Sequence, residues 1–431
     1  MTEMTTTEAA IREAIARQGP ITFRQFMEMA LYSAPGAYYA SGAGQLGAHG
    51  DYFTSPEIHP SFGALVARQI EQVWAVMDRP EQFVVVEMGA GSGAMARDIL
   101  SYAARWSPDF HRAIRYEIVE RNPELARRQQ QAIAELGNAG TSVTWLTSEE
   151  PALRPASVDG SVLSNELPDA FPVHRVVVND GEIKEIFVTV RDGRLSEIEA
   201  APSTPALAAY FDRLGFLPPE GARVEVNLDS LAWIRRVATG LRRGAAITID
   251  YGYSARDLYS ERHMAGSLLC FYRHTLCDNP YVRVGLQDMT THVDFTSLIM
   301  EAEAAGLQTA GLTTQHAFLS ALGIDHFVAS LRGAGLRASD YDANRLAIHE
   351  LMDPDGLGKV KVLIQQKELE GFEPAGFSPD GIRPDGLGRD TTLEPSPLLG
   401  GSHMRLNTPA DEGFFVDVQS IWDQLMGDDE E

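Results

Sequence analysis

The chain has 431 residues, 44% of them hydrophobic, enough for one large core with an insertion or for two domains. A formal charge of −24 and the lack of any basic run exclude a groove that tracks nucleic-acid phosphates. No stretch approaches the roughly 18 apolar residues of a membrane span, and the N-terminus carries acids with no signal-like apolar region. The two cysteines, Cys270 and Cys277, lack metal-ligand spacing, so the chain reads as a soluble cytoplasmic protein with reduced thiols and no metal site.

In chain order, residues 8–18 form a short helix, and "ITFRQFMEMALYS" forms another, with Phe23, Phe26, Met27 and Leu31 on one face. The glycine-rich, aromatic stretch from Ala34 to Pro60 is a loop. Ser61 after Pro60 opens a long amphipathic helix, "SFGALVARQIEQVWAVM". Phe83–Met88 is then a buried strand, and Gly89, Gly91 and Gly93 separate it from a helical pattern through Met95, Ile99 and Leu100. A strand, a tight glycine turn and a helix N-terminus make a niche for a nucleotide-like ligand. Gly89, Gly91 and Ala94 meet the dinucleotide pattern weakly. Glu87 with Gly89, Gly91 and Gly93 meets the acid–Gly-X-Gly-X-Gly pattern of S-adenosylmethionine (SAM) methyltransferases fully. A carboxylate there would repel a pyrophosphate but can pair with the ammonium of the methionine moiety, so the motif favours SAM over NAD.

A second strand, Ile114–Glu120, ends in an acid placed to accept both ribose hydroxyls. Glu120 is the first choice for that contact, because Glu117 lies mid-strand, on the other side of the backbone from Ile118. Further strands at Ser142–Leu146, Gly160–Ser164 and Ala245–Asp250 alternate with helices and predict a doubly wound, mostly parallel α/β sheet. Asp-Gly turns at 180–181 and 192–193 predict an inserted three-stranded meander. At the end of the fourth strand, Asn165, Glu166 and Asp169 would project into the ligand crevice, stiffened by Pro168 and Pro172. After Tyr251 few elements are expected until the helix "DFTSLIMEAEAAG", with His292 and Asp294 just before it; "KVKVLIQQK" reads as an edge-like strand completing the sheet.

The domain reading is N-terminal helices and a lid loop (1–60), a core (61–370) with the meander (172–220) and a lid segment (251–293), a disordered linker (371–410) and an amphipathic docking helix (411–427). The tetrapeptide "GSHM" at 401–404 has the sequence of a common vector remnant, and is either chance or a fusion junction. Phe414, Val418, Ile421, Trp422 and Leu425 share one helical face among acids, the pattern of a segment that folds on a partner's groove.

The segments "FRQFMEMALYSAPGAYY", "GDYFTSPEIHPSFGALVARQI", "EMGAGSGAMARDIL", "NELPDAFPVHR", "IDYGY", "DMTTHVDFTSL", "TTQHAFLSALGI" and "LMDPDGLGKVKVL" span residues 21 to about 366. In these the chain resembles the MidA-like methyltransferases, relatives of the mitochondrial protein arginine methyltransferase needed for complex I assembly. The resemblance implies a class I SAM-dependent methyltransferase fold with lid loops over the active site, SAM as cofactor, and protein arginine N-methylation. It departs from the family pattern at Pro168, at "GAYY" and in the tail beyond Gly371, changes that touch the acceptor side more than the cofactor side. Alternatives are an O- or N-methyltransferase for a small or carrier-bound intermediate, and a non-catalytic SAM-binding assembly factor. Glu166, with Asp169 and Asn165, is the candidate for orienting and deprotonating the acceptor. Glu57, Tyr52, His292 and Asp294 are candidate acceptor contacts from the lid, although Asp294 is also a natural N-cap.

Overall fold

Seven strands form the central sheet: β1 (Phe83–Met88), β2 (Ile114–Val119), β3 (Ser142–Leu146), β4 (Val158–Asn165), β5 (Leu241–Asp250), β6 (Gln308–Thr314) and β7 (Lys361–Lys367). They come from a computed structural model that describes residues 4–40, 54–134, 136, 142–273, 275–378, 387, 389–400 and 403–404. The spatial order is β6-β7-β5-β4-β1-β2-β3. Strands β5, β4, β1, β2 and β3 are parallel to one another, and β7 runs antiparallel to both β5 and β6. The chain therefore winds outward from β1 to β3, then returns to β4 on the other side of β1. That reversal opens a crevice at the carboxyl ends of β1 and β4, where doubly wound sheets bind ligands.

Period-two alternation sends side chains to two layers. Val85, Tyr116, Ile118 and Ile249 face helices α1 (Ser61–Val76) and α2 (Ala94–Trp106). Val86, Met88, Val162 and Ala246 face α4 (Leu228–Gly240) and α5 (Phe295–Ala304). A further helix, α3 (Pro123–Ala134), follows β2. The edge reading of "KVKVLIQQK" is corrected: β7 lies between two strands, and its Val362, Leu363 and Ile364 are all buried. A run buried on both faces belongs inside a sheet, and only the lysines at its ends suggested an edge.

The meander is present as His174–Asn179, Glu182–Arg191 and Arg194–Ala200. Both Asp-Gly turns have two residues at positive φ, which matches the twist of a tight hairpin. Arg223–Val226 and Ile21–Thr22 extend it to five strands, a pairing between segments too far apart in sequence to read locally. The lid segment holds more structure than expected, including a small sheet of Leu269–Tyr272, Thr275–Cys277 and Asp288–Thr290. The expected linker also differs: residues 371–378 and 389–400 pack on the core, with short 3₁₀ turns at Ala375–Phe377 and Thr391–Leu393. Ion pairs of Arg389 and Glu394 hold the second stretch and the Gln69 and Gln72 side chains the first, signals that composition alone does not carry. The docking helix 411–427 lies outside the described residues.

Candidate active site

Between β1 and α2, Gly89, Gly91 and Gly93 have φ of 71°, 52° and 82°. Left-handed backbone at three alternate positions is tolerable only for glycine. Gly89 and Gly93 are also needed by packing, since an added Cβ would come within 2.9 Å of Leu167 and 3.2 Å of Gln129. Gln129, wholly buried on α3, ties the turn to the second strand. Its Nε2 donates to the Gly91 carbonyl (2.9 Å) and to Glu120 Oε2 (3.0 Å), and its Oε1 accepts from Trp145 Nε1 (3.1 Å).

Glu120 caps the end of β2 with a second bond, from the Asn122 N–H to Oε1 (2.8 Å). Partial burial raises its pKa, while Asn122 and Gln129 oppose that rise by bonding the charged form. Glu117 is elsewhere: half-buried mid-strand, its pKa raised by burial against the pull of Arg154. Glu87 is 1% exposed and accepts from Tyr116 Oη at 2.6 Å. Burial pushes its pKa up to about 7 despite that bond.

The carboxylates expected on the acceptor side stand at the ends of β4 and β5. Glu166 has a φ of 48°, a strained conformation for a residue with a side chain, held by its N–H bonding Ile249 O on β5 (2.8 Å). Asn165 Nδ2 donates to Glu166 Oε1 (3.2 Å). Asp169 is buried in the 3₁₀ turn Pro168–Ala170 and held from three directions. Tyr251 Oη donates to its Oδ2, its N–H donates to Asp250 Oδ2 (3.3 Å), and its carbonyl accepts from Thr291 N (3.0 Å). Its Oδ1 is buried with no hydrogen-bond partner.

Asp250, fully buried at the end of β5, also accepts from Tyr251 N (2.8 Å). Glu57, in the turn Ser55–Ile58, is 4% exposed and accepts from Thr54 N (3.3 Å), while the Ser92 hydroxyl of the glycine turn favours its charged form. Burial raises all four carboxyls, and repulsion from neighbouring carboxylates adds to it at Glu166 and Asp250. Glu57 reaches about 7 and Asp169 about 6 through burial; Glu166 and Asp250 lie well above the carboxylate range, from burial and then from Asp169.

Among the other candidates, His292 is buried with its ring edge-on to Tyr251 (5.6 Å) and Tyr253 (5.2 Å). Asp294 is the N-cap of α5, bonding Ser297 N and Oγ and Tyr210 Oη, so its carboxylate is engaged within the fold. Tyr52 lies outside the described residues. Sequence reasoning missed Asp250, Tyr251 and Gln129. The first two had a usable signal, an acid at the carboxyl end of the strand beside β4; Gln129 had none. It also missed Tyr39, which stacks on Tyr32 (5.2 Å), donates to Asp288 (2.9 Å), and accepts from Asn122 Nδ2 through its carbonyl.

A parallel sheet with this reversal, a Glu-X-Gly-X-Gly-X-Gly turn after β1 and an acid after β2 defines a class I methyltransferase. Residues 65–313 match the family model for S-adenosyl-L-methionine-dependent methyltransferases, and the chain belongs to that family. A COG1565 superfamily member from Burkholderia thailandensis, crystallised bound to S-adenosyl-homocysteine, is similar at a TM-score of 0.76 and 29% identity, over 86% of this chain and 94% of that one. The mitochondrial protein arginine methyltransferase NDUFAF7 of Danio rerio is 27% identical over 80% of this chain and 83% of its own. The Drosophila melanogaster homolog is 28% identical over 72% and 73% respectively.

The residues present fit SAM. The left-handed turn gives backbone access, Glu120 retains lone pairs for the ribose hydroxyls, and Glu87 provides a carboxylate beneath the turn. The bound cofactor supplies an electrophilic methyl group. This chain's residues have then to place an acceptor lone pair behind it and remove any proton released.

Proposed function

We propose that the acceptor is the guanidinium of an arginine in a protein. The observation that carries this reading is the cluster of Glu57, Glu166, Asp169 and Asp250, with one buried oxygen of Asp169 unbonded. Among the described residues their hydrogen-bond partners are neutral side chains and backbone N–H groups, with no lysine or arginine paired to them. Such a cluster favours a cationic guest, and a planar fork of N–H donors suits paired carboxylate oxygens. The names of the relatives agree with it.

In this reading Glu166 holds a proton before the acceptor binds, because burial and Asp169 oppose its charge. A guanidinium cation stabilises the carboxylate and the proton leaves. Glu166 and Asp169 then orient the acceptor nitrogen by accepting its N–H bonds. On methyl transfer, which would break the sulfonium S–CH3 bond and leave a neutral thioether, Glu166 takes the proton that the acceptor nitrogen releases, and the methylated guanidinium remains a cation.

The test is incubation with methyl-labelled SAM and two peptides, one arginine-rich and one with lysine at every arginine position. Acid hydrolysis should yield labelled methylarginine from the first peptide only. Label confined to a small-molecule extract of lysate would support the small or carrier-bound acceptor. SAM binding without label in any fraction would support the assembly-factor alternative.

A further inference from the structure

We propose that the C-terminal residues 389–400 and 403–404 form a clamp on the cofactor turn, with His403 and Met404 as positioning residues for SAM. The segment lies beyond the stretch that matches the family, and its Pro/Gly-rich composition gives no sign of a fixed structure.

It is anchored by a buried network across α1 and α2. Arg68 on α1 is 1% exposed and donates to Tyr102 Oη (2.8 Å), Leu322 O (2.7 Å), Glu394 Oε2 (2.9 Å) and Thr391 O (3.1 Å). Arg389 donates to the other Glu394 oxygen (2.7 Å) and to Glu71 Oε2 (2.7 Å). Removing one partner of such a network leaves a buried charge unpaired, so the segment is held firmly.

Its far end reaches the cofactor site by two routes. His403 Nε2 lies 3.0 Å from Asp98 Oδ2 and 2.6 Å from Arg97 Nη2, on the helix that opens from Gly93. Met404 is buried in the main core, and its N–H donates to Glu57 O (2.9 Å). The Glu57 carboxylate in turn faces Ser92, whose hydroxyl favours its charged form and which sits between Gly91 and Gly93. One backbone hydrogen bond and one side chain therefore join the segment to the turn.

Because SAM binding and segment docking act on the same turn, each should strengthen the other by one coupling factor. Calorimetry on the full chain compares Met404→Pro, which deletes the N–H, with Met404→Leu, which keeps it and the apolar volume. Met404→Pro and His403→Leu should weaken SAM about three- to tenfold, as for one or two lost hydrogen bonds, and Met404→Leu less than twofold. In the wild-type chain, SAM should slow hydrogen exchange of the amides in 389–400 and of Met404. Unchanged SAM affinity in folded variants of lowered thermal stability would reduce the segment to a structural brace. Should the variants not fold, equal wild-type exchange with and without SAM would overturn the clamp by itself.

Discussion

The two halves of the crevice solve different problems with the same kind of residue. On the cofactor side, each carboxylate has a dedicated donor: Glu87 has Tyr116, and Glu120 has Asn122 and Gln129. On the side proposed for the acceptor, Glu166, Asp169 and Asp250 are crowded together; after burial, Asp169 raises the proton affinity of Glu166 and Asp250, and Glu166 adds to that of Asp250. In the proposed function the first arrangement receives hydroxyls and an ammonium, and the second, which burial keeps protonated, is completed by a cation. In that reading cofactor binding and proton transfer sit on neighbouring strands, β1 against β4.

The comparison breaks most directly at Glu166. Glu166→Gln keeps the shape and one acceptor oxygen but cannot take a proton. Turnover should fall about 10²–10⁴-fold while SAM affinity stays within about twofold. A loss of SAM affinity as large as the loss of turnover would show that the two halves are not separate functions.

Glu57 touches both halves, and its protonation gives the next largest effect. Its folded pKa of about 7 lies above the ordinary 4.5. The stability it contributes is therefore complete below about pH 4.5 and is lost as pH rises through about 7. At about 1.4 kcal/mol per unit, the loss between pH 4.5 and 8 approaches ~3 kcal/mol as an upper bound. Urea unfolding of wild type and Glu57→Gln across that range isolates it, because the variant should lack this slope. Parallel curves for the two proteins would place the titration elsewhere.

The cofactor half is broken at Glu120. Glu120→Ala should weaken SAM by about 1.5–3 kcal/mol, as for charged hydrogen bonds lost, without altering the pH dependence of turnover at saturating SAM. Equal affinity would move the ribose contact to another residue, and Glu117 cannot supply it from mid-strand beside Arg154.

How much of each half was legible follows from how it is encoded. The cofactor half lies in two continuous stretches, and Glu87, the three glycines and Glu120 each stand at a position that local strand–turn–helix rules single out. The acceptor half is assembled from the ends of β4 and β5, the turn at Glu57 and the lid. Only Asn165, Glu166 and Asp169, one continuous loop, stood out as a group. Asp250 was visible as a strand end, but its partnership with Asp169 depends on β4 and β5 being neighbours, which the sequence does not state. The same reason explains β7. Its burial between β5 and β6 depends on pairings far along the chain, while its flanking lysines describe only the ends. The C-terminal segment was least legible, because Arg389 and Glu394 look like solvated charges until Arg68 and Glu71 are placed opposite them.

Gln129 gives the smallest effect and the sharpest view of how the cofactor half is braced. It lies nine positions beyond Glu120, on a helix where it is the one fully buried polar side chain, yet its amide meets three partners from separate elements. Gln129→Leu fills a similar volume and removes all three bonds. Glu120 would still be held by the Asn122 N–H, so SAM should weaken only about three- to tenfold, corresponding to one or two net hydrogen bonds. Stability should fall more, by about 1–3 kcal/mol, because Trp145 Nε1 is left without its acceptor. Combining Gln129→Leu with Trp145→Phe removes that unpaired donor, and should recover much of the stability while leaving SAM affinity reduced. If the double variant recovered affinity along with stability, the amide would act through the fold as a whole, and the bond to Glu120 would not brace the ribose site.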